Sequence, residues 1–394
     1  MITIEEADHI LRKAIVRGDV ETLPLAVCAG RVLREPITAE RDAPPFDRAM
    51  MDGFAYRAAD AATHPEGLPI IGTLAAGQPP VSLGSSPAAI EIMTGAIVPH
   101  DADCIVPVED INITENLLQI PPSAWVSGRF IDRKGSNHPA GSIVLRAGVI
   151  LRPAELAIAA TEGHASLTVN ASLAIHVITT GDEIVPLTSS PQPWQIRGSH
   201  ATALTALLSA CDVTVTSEHV ADDPAAINLA ISSALDKQQW PVLCGGVSKG
   251  GKDHVIDVLK SLGATLLFHR VAQRPGHPMA FAMHRDIPIF CLPGNPLSVL
   301  CAARRHLVPA IHRQRGASHG LSPIPISLLE NIQSSPDSTR FLPIRLRDGV
   351  ATTIPFRNSG SLHTLAETSG FVEIPPSQEA LPAGTPFPYH PWQP

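Results

Sequence analysis

The sequence predicts a multidomain α/β protein in which one parallel sheet flanked by helices is accompanied by β-rich units. Three observations lead to this prediction. Strand-like and helical segments alternate between about residues 172 and 316, which is typical of a parallel sheet with crossover helices. Short apolar segments interrupted by Pro, Gly and Asp fill about residues 25–151 and indicate an irregular β-rich unit. Strand patterns return after about Leu321, so we expect a small C-terminal β unit.

The chain begins with a predicted amphipathic helix. Thr3 and Glu6 have the spacing of a capping box, and apolar residues recur behind them at helical spacing. We expect this helix to end near Arg17, because Gly18 follows it. A second helix is predicted to begin at Arg152-Pro153, since proline at an early helical position loses no hydrogen bond.

Four short apolar strands are expected in the α/β segment, and a loop followed by a helix comes after each of them. The strands are predicted at 174–178, 213–216, 241–244 and 288–292. The first predicted helix covers 201–210, and the second begins at Asp223-Pro224. The third follows the glycine turn after Cys244 and ends at Leu262, and the fourth begins at Pro296. Ligands of parallel α/β sheets bind at the carboxyl ends of the strands, so the loops that follow these strands are the candidate site.

Near the C-terminus, Asp348-Gly349 separates two strand-like segments and predicts a β-hairpin. Together these patterns divide the chain into four predicted domains. They are a linking domain of helical and extended segments (1–45 with 140–171), an irregular β domain (46–139), the α/β domain (172–318) and a C-terminal β-barrel-like domain (319–394).

Composition excludes several classes of function. A net charge of -8 disfavours sequence-independent binding to nucleic acid, which requires a basic surface. The six cysteines contain no C-x-x-C pair, so neither a zinc framework nor a disulfide scaffold is predicted. No apolar run reaches the ~20 residues of a membrane span, and no secretory pattern is present. We therefore expect a cytoplasmic protein that binds neither nucleic acid nor membrane.

The glycine-rich loop after the third predicted strand is the strongest candidate for anion binding. It runs from Gly245 to Asp253 and reads GGVSKGGKD. Backbone N–H groups in such a strand-to-helix turn can approach a phosphate, and two lysines add positive charge. The segment also fits most of the P-loop pattern, but Asp253 stands where that pattern requires Ser or Thr. A plain glycine turn capped by Asp253 is the structural alternative, and Asp253 could also ligate a metal.

Two further loops follow predicted strands. Thr179-Thr180-Gly181-Asp182-Glu183 carries adjacent carboxylates, which suit a divalent cation, although a solvated turn gives the same pattern. Pro293-Gly294-Asn295-Pro296 is a rigid turn into a helix, which alone indicates structure more than function. Upstream, Asp52 and Thr94 supply an acceptor and a hydroxyl in unusual turns. Residue type alone assigns a structural role to both.

These strings occur together, in the same order, in the molybdopterin molybdenumtransferases, a family that includes the C-terminal domain of gephyrin. The chain resembles this family through PPFDRAMMDGFA, IMTGAIVPHDAD, TTGDE, GGVSKGGKD, RPGHP and LPGNPLS, and Asn358–Thr364 is similar to a seventh motif. The resemblance covers nearly the whole chain. It implies an elongated homodimer of four-domain subunits, in which one domain is like molybdopterin adenylyltransferase and the active site is shared between subunits.

The resemblance also implies a reaction. The family inserts molybdate into adenylylated molybdopterin and uses Mg²⁺, or another divalent cation, while the adenylyl–pterin phosphoanhydride is hydrolysed. The products are molybdenum cofactor and AMP. Molybdopterin adenylyltransferase and downstream molybdoenzyme maturation proteins are the implied partners.

Site residues carry over from the resemblance position by position. Five of them match catalytic residues, and Glu183 and Asp222 among these are expected to hold the cation. The catalytic set is Asp52, Thr94, Glu183, Asp222 and Asp253. The substrate-binding set is Gly245, Gly246, Ser248, Gly250, Lys252, Arg270, Arg274, His277, Pro293, Gly294, Asn295, Ser359 and Thr364.

Three departures from the family pattern leave the activity open. Arg270, Arg274 and His277 replace lysines, Ser136-Asn137 replaces a Glu-Asp pair, and Gly198-Ser199-His200 replaces Asp-Ser-Asn. An active insertase is one interpretation, and a paralogue that binds or delivers molybdopterin without full activity is another. The adenylyltransferase reaction and a scaffolding role like that of gephyrin are further alternatives.

Overall fold

The computed structural model describes residues 1–247, 254–318, 323–354 and 362–393, and it shows a mixed α/β protein with several sheets. The chain forms two compact units. The larger unit contains residues 1–35, 147–156 and 165–394, and the smaller unit contains residues 36–146 and 157–164. None of the helices in the described ranges is both long enough and apolar enough to cross a membrane.

A six-stranded sheet forms the centre of the larger unit. Its strands, in spatial order, are Val213–Val220, Leu173–Thr180, Trp240–Cys244, Ile287–Leu292, Ala280–His284 and Thr265–His269. The first four run parallel, as predicted. The last two strands were not predicted, and Ala280–His284 pairs antiparallel with the strands on both of its sides. Only Arg285-Asp286 joins Ala280–His284 to Ile287–Leu292, and a parallel connection needs a crossover of a dozen or more residues.

Helices cover both faces of this sheet. Along Leu173–Thr180, Ile175 and Val177 belong to one apolar cluster while Ile178 belongs to another, because alternate side chains of a strand point to opposite faces. The helices are His200–Leu208, Pro224–Asp236, Val255–Ser261 and a long helix made of Pro296–Ala302, a π-helical turn at Ala303–Leu307, and Val308–Arg315. The long helix begins at the predicted proline.

The N-terminal helix spans Ile4–Ala14 and has the predicted capping box. The Thr3 hydroxyl accepts a hydrogen bond from the backbone N–H of Glu6, and the Glu6 carboxylate accepts one from the backbone N–H of Thr3. The helix ends before Arg17 because Ile15 is already extended. Its buried face joins the same apolar cluster as one face of the central sheet. The other predicted helix near this part of the chain spans Pro153–Thr161, and the strands Val20–Pro24 and Ser166–Asn170 pair antiparallel.

A second six-stranded sheet lies in the C-terminal part of the larger unit. Its strands are Gln273–Arg274, Thr339–Arg347, Gly370–Ile374, Pro386–Pro391 and Ile324–Ser327 in spatial order, with Val350–Thr353 paired to Thr339–Arg347. The predicted hairpin is present, since Arg347 pairs with Val350 across Asp348-Gly349. Both turn residues have positive φ, as a two-residue hairpin turn requires. A short helix at Leu362–Leu365 precedes the strand Gly370–Ile374.

The smaller unit is β-rich and irregular, in agreement with the sequence pattern. Its main sheet contains Cys104–Pro107, Gly53–Tyr56, Ala89–Ile92, Leu68–Leu74, Leu117–Gln119 and Asn112–Thr114 in spatial order. Two short ladders pair Arg48–Ala49 with Ile131–Asp132 and Ile37–Thr38 with Ile143–Leu145. Along the chain, the helix Ala58–Thr63 follows the strand Gly53–Tyr56 and precedes the strand Leu68–Leu74.

Candidate functional site

The four parallel strands of the central sheet end at one edge. Thr180 lies beside Val220, Thr179 lies beside Cys244, and Cys244 lies beside Leu292. The loops at 181–183, 221–223, 245–247 and 293–295 therefore leave the sheet side by side. Because ligands bind where parallel strands end, this edge is the candidate site of the larger unit.

Two of these loops bring carboxylates together. The Thr180 hydroxyl donates a hydrogen bond to Oδ1 of Asp222 at 3.1 Å, and the backbone N–H of Asp222 donates to Oδ1 of Asp182 at 3.3 Å. The carboxylate of Glu183 folds back over Gly181, where a Cβ would lie 3.0 Å from either carboxylate oxygen. Thr180 and Asp182 were not among the predicted site residues, although both stand in the quoted TTGDE string.

These carboxylates have the chemistry that a hard divalent cation prefers. Their oxygens are suitable ligands, but no group of three or more His, Cys, Asp and Glu residues in the described ranges is placed to hold a metal ion alone. Mg²⁺ commonly takes one or two protein carboxylates and completes its coordination with water and substrate phosphate. A cation held by Glu183 and Asp222 would therefore need water and a phosphate-bearing ligand to complete its coordination.

The glycine turn approaches the neighbouring strand ends too closely for side chains. Gly245 and Gly246 have φ values of +102° and +66°, and a Cβ on Gly245 would lie 3.0 Å from the Thr180 carbonyl oxygen. The Gly245 N–H donates to the Leu292 carbonyl at 3.2 Å, so it is not free for an anion. Gly294 faces this turn, with 3.7 Å between its Cβ position and the Gly245 Cα.

Several predicted site residues lie outside the described residues. They are Ser248, Gly250, Lys252, Asp253 and Ser359. Thr364 is described and lies in the helix Leu362–Leu365, where its carbonyl accepts from the N–H of Glu367. Pro293 and Asn295 flank Gly294 in the turn that leads into the helix at Pro296.

His200 is a feature of this edge whose environment the sequence did not reveal. It is 8% exposed and begins the helix His200–Leu208. Neither ring nitrogen has a hydrogen-bond partner among the residues that the structure describes. Burial lowers the pKa of His200, and the nearby negative charge of Glu183 opposes this shift. His200, which stands where the family pattern has Asn, thus places a neutral imidazole close to Glu183, a predicted cation ligand.

The segment Arg270–His277, which we call the cationic segment, carries the predicted anion-binding side chains. His277 Nδ1 donates to the Val271 carbonyl at 3.2 Å. Burial lowers the pKa of His277, the Val271 carbonyl opposes this, and the charges of Arg270 and Arg274 lower the pKa further. The positive charge of the segment near neutral pH therefore comes from the two arginines.

In the smaller unit, Asp52 and Thr94 meet directly. Oδ1 of Asp52 accepts a hydrogen bond from the Thr94 hydroxyl at 2.6 Å and another from the Thr94 backbone N–H at 2.7 Å. The hydroxyl and then the N–H lower the pKa of Asp52. Both residues are exposed. The strings MMDGFA and IMTGA thus form one surface feature, although they lie about forty residues apart.

The Ser136-Asn137 departure lies beside a different carboxylate. The Ser136 hydroxyl donates to Oδ1 of Asp132 at 2.7 Å, and Arg48 Nε donates to Oδ2 of Asp132 at 2.9 Å. These two bonds lower the pKa of Asp132. Asn137 donates its backbone N–H to the Ala43 carbonyl. The turn therefore keeps one carboxylate, at position 132, which the sequence reasoning did not select.

Comparisons with known proteins agree across the chain. The MoeA N-terminal region (domain I and II) matches residues 2–163, a probable molybdopterin binding domain matches residues 176–313, and the MoeA C-terminal region (domain IV) matches residues 325–392. A molybdopterin molybdenumtransferase from Synechocystis sp. is 33% identical over 401 aligned residues, covering 100% of both chains. One from Synechococcus elongatus is 34% identical over 385 residues, covering 93% of each.

Solved structures give the same result. A molybdopterin biosynthesis MoeA protein from Pyrococcus horikoshii matches with a TM-score of 0.82 and 27% identity, covering 100% of both chains. A second structure of a MoeA protein from Pyrococcus horikoshii OT3 matches with a TM-score of 0.85 and 26% identity, covering 99% of this chain and 100% of the other. The chain therefore belongs to the molybdopterin molybdenumtransferase (MoeA) family.

Proposed function

We propose that this protein inserts molybdate into adenylylated molybdopterin and releases AMP, with the help of Mg²⁺ or another divalent cation. As a family member it has a role in molybdenum cofactor biosynthesis. The observation that supports the proposed reaction most strongly is the meeting of acidic and glycine loops at one sheet edge. Such an edge can receive a phosphoanhydride and hold the cation that accompanies it.

The two glycine turns pack closely against each other at the sheet edge. Gly294 lies against Gly245, so the loops proposed to receive the phosphates are held side by side. Adenylylated molybdopterin and molybdate are both strongly anionic. Arg270 and Arg274 offset part of this charge, and arginine can bind an oxyanion through two parallel N–H groups.

Glu183 and Asp222 are the proposed cation ligands. Thr180 orients Asp222 by its hydrogen bond to Oδ1. A divalent cation bound there neutralises charge and polarises a phosphoryl oxygen. Asp253, which completes the predicted catalytic set, belongs in this proposal beside the nucleotide or pterin.

We further propose a cytoplasmic homodimer in which both subunits contribute to each active site. Asp52 and Thr94 are assigned to the substrate in this arrangement. Molybdopterin adenylyltransferase and molybdoenzyme maturation proteins are the proposed partners upstream and downstream. Sedimentation of the purified protein tests the dimer, and co-purification with the adenylyltransferase tests the transfer partner.

The second candidate function is that of a paralogue that binds or delivers molybdopterin without turnover. Two observations favour it: positions 136 and 137 carry no carboxylate, and a buried imidazole stands at position 200 beside Glu183. Neither observation removes the proposed cation ligands, so insertion is the function that we favour.

Reconstitution separates these two functions. Purified protein is mixed with adenylylated molybdopterin, molybdate and MgCl₂, and AMP release is followed together with activation of an apo-molybdoenzyme. We expect AMP release that depends on molybdate and that accompanies enzyme activation. Tight molybdopterin binding without AMP release would instead identify a binding paralogue.

A further inference from the structure

A buried chain of hydrogen bonds joins the cationic segment to the middle of the long helix. His306 Nε2 lies 2.7 Å from Oε1 of Gln273, and Gln273 Nε2 lies 3.1 Å from the carbonyl oxygen of Gly276. His306 and Gln273 are fully buried. The bonds therefore connect the helix to the turn that follows Arg274, in a region from which water is excluded.

The donors in this chain are fixed by the Gly276 carbonyl. This carbonyl accepts only, so the amide nitrogen of Gln273 must face it and the amide oxygen must face His306. His306 then donates from Nε2 and is the neutral Nε2–H tautomer. Burial and the charge of Arg305 lower the pKa of His306 to about 3, which agrees with a neutral ring.

The turn at Gly276 fits closely around the Gln273 amide. Gly276 has a φ of +102°, and a Cβ there would lie 3.0 Å from Gln273 Nε2. A side chain at this position would meet both an unfavourable backbone conformation and the amide group. The Gln273 amide and the turn at Gly276 therefore pack against each other, and glycine at position 276 makes this close contact possible.

His306 projects from a well-anchored part of the helix. It belongs to the π-helical turn Ala303–Leu307, and π-helical turns are frequent at functional sites. The adjacent Arg305 donates to both carboxylate oxygens of Asp8 at 2.8 and 2.9 Å and to Glu373 at 2.8 Å. These bonds tie the turn to the N-terminal helix and to the C-terminal sheet.

Glu373 remains ionised within this anchor. Burial would raise its pKa, but the hydrogen bond from His390 and the charge of Arg305 lower it to about 2. His390 Nε2 lies 3.0 Å from Glu373 Oε2. Since a buried, paired network of this kind resists displacement, His306 presents its N–H to Gln273 from a fixed position.

Arg274 directly follows Gln273 in the sequence and lies two residues before Gly276, where the chain of bonds ends. Its side chain is exposed and forms no ion pair with a described residue. We propose that His306 and Gln273 are positioning residues that hold the 274–277 turn in the conformation that presents Arg274 to an oxyanion of the substrate. This inference rests on the proposed function, because it assumes that Arg274 binds an anionic substrate group. The oxyanion is molybdate itself or a phosphate of adenylylated molybdopterin.

The test compares His306→Leu with a matched control. His312→Leu replaces a buried histidine of the same helix whose ring nitrogens have no hydrogen-bond partner in the described part of the chain. KM for molybdate, KM for adenylylated molybdopterin and kcat are measured, and binding of molybdate alone is followed by calorimetry. Thermal unfolding is measured for each variant.

We expect His306→Leu to raise one of the two KM values about three- to tenfold with little change in kcat, as loss of one hydrogen bond predicts. A rise in the molybdate KM and in the calorimetric dissociation constant assigns Arg274 to molybdate. A rise only in the other KM assigns it to the phosphate. His306→Gln, which can carry an N–H donor to about the same position, should restore values close to those of the unchanged protein. His312→Leu should leave both KM values unchanged.

Arg274→Ala separates failure of this inference from failure of the proposed function. If Arg274→Ala changes neither KM, the anion-binding role of Arg274 is wrong. If Arg274→Ala raises KM while a folded His306→Leu does not, the positioning role is wrong. The double variant should be no weaker than Arg274→Ala alone, and additive losses would also contradict the inference. If His306→Leu does not fold, Gln273→Leu removes the same link and is judged by the same criteria.

Discussion

Asp52 and Asp222 each accept a hydrogen bond from a threonine, but the two carboxylates are prepared differently. Oδ1 of Asp52 accepts two short bonds from Thr94, whereas Oδ1 of Asp222 accepts one longer bond from Thr180. The hydrogen bonds from Thr94 therefore stabilise the negative charge of Asp52 without a cation. Asp222 lies instead among other acidic groups, where a cation is the natural partner. A hydrogen-bonded carboxylate is therefore suited to orientation, and a sparsely bonded one to metal binding.

The largest expected effect comes from removing the proposed cation ligands. We predict that Asp222→Ala and Glu183→Ala each lower kcat for AMP release by about 100-fold or more, because the metal supplies several kcal/mol of charge stabilisation. Circular dichroism should show an intact fold. Undiminished activity in both variants would contradict the assignment of Asp222 and Glu183 as cation ligands.

The neighbouring Asp223 provides the control for Asp222. Its carboxylate accepts from the N–H of Ala226 at 2.9 Å and caps the helix Pro224–Asp236. We predict that Asp223→Ala costs about 1 kcal/mol in free energy of unfolding and retains turnover. Denaturant titration and the AMP assay measure the two properties. A turnover loss as large as that of Asp222→Ala would show that the acidic loop acts as a whole.

The variant Asp52→Asn tests the other carboxylate of this comparison, the one that is predicted not to bind the cation. The amide keeps an oxygen that can accept from Thr94 but removes the charge. We predict a fall in kcat of about tenfold, the size expected when a charged hydrogen bond becomes a neutral one, with an unchanged Mg²⁺ concentration for half-maximal activity. An Mg²⁺ requirement that shifts with Asp52→Asn would remove the distinction between the two carboxylates.

The smallest effect concerns the pKa of Asp52. Thr94→Val removes the hydroxyl donor, so the pKa of Asp52 should rise toward its ordinary value, which NMR titration of the carboxyl carbon can follow. Because the folded-state pKa of Asp52 is lowered, its contribution to stability is present above the unfolded-state pKa of about 3.9 and is lost as the pH falls through the folded-state value. The stability difference between Thr94→Val and the unchanged protein should therefore shrink on acidification. An unchanged pKa would show that the hydroxyl bond is absent in solution.

Much of the larger unit could be predicted from sequence because its signals are local. Alternation of strands and helices indicates four parallel strands, and parallel strands place their following loops at one edge. The antiparallel hairpin of 280–284 with 287–292 was missed because its two-residue connection, Arg285-Asp286, contains no glycine or asparagine to signal a turn.

Contacts between distant residues could not be predicted in this way. Asp52 and Thr94 meet because Gly53 pairs with Ile92 in the sheet of the smaller unit, and no local pattern encodes that register. His306 and Gln273 are 33 positions apart, and a single histidine inside a helix resembles an ordinary core residue. Resemblance to a family indicated Asp52 and Thr94, whereas only the structure revealed the link between Gln273 and His306.

The most direct test of the central claim is a measurement of cation binding. Mn²⁺ is titrated, in the presence of AMP, into the unchanged protein and into the variants Asp222→Asn, Glu183→Gln and Asp52→Asn. Electron paramagnetic resonance measures the free Mn²⁺ at each step. We predict that the Asp222 and Glu183 variants bind Mn²⁺ at least about tenfold more weakly, since each loses a charged ligand, while Asp52→Asn binds as the unchanged protein does. Equal binding by all four proteins, or weakening only in Asp52→Asn, would contradict the claim that the carboxylates at the sheet edge hold the cation.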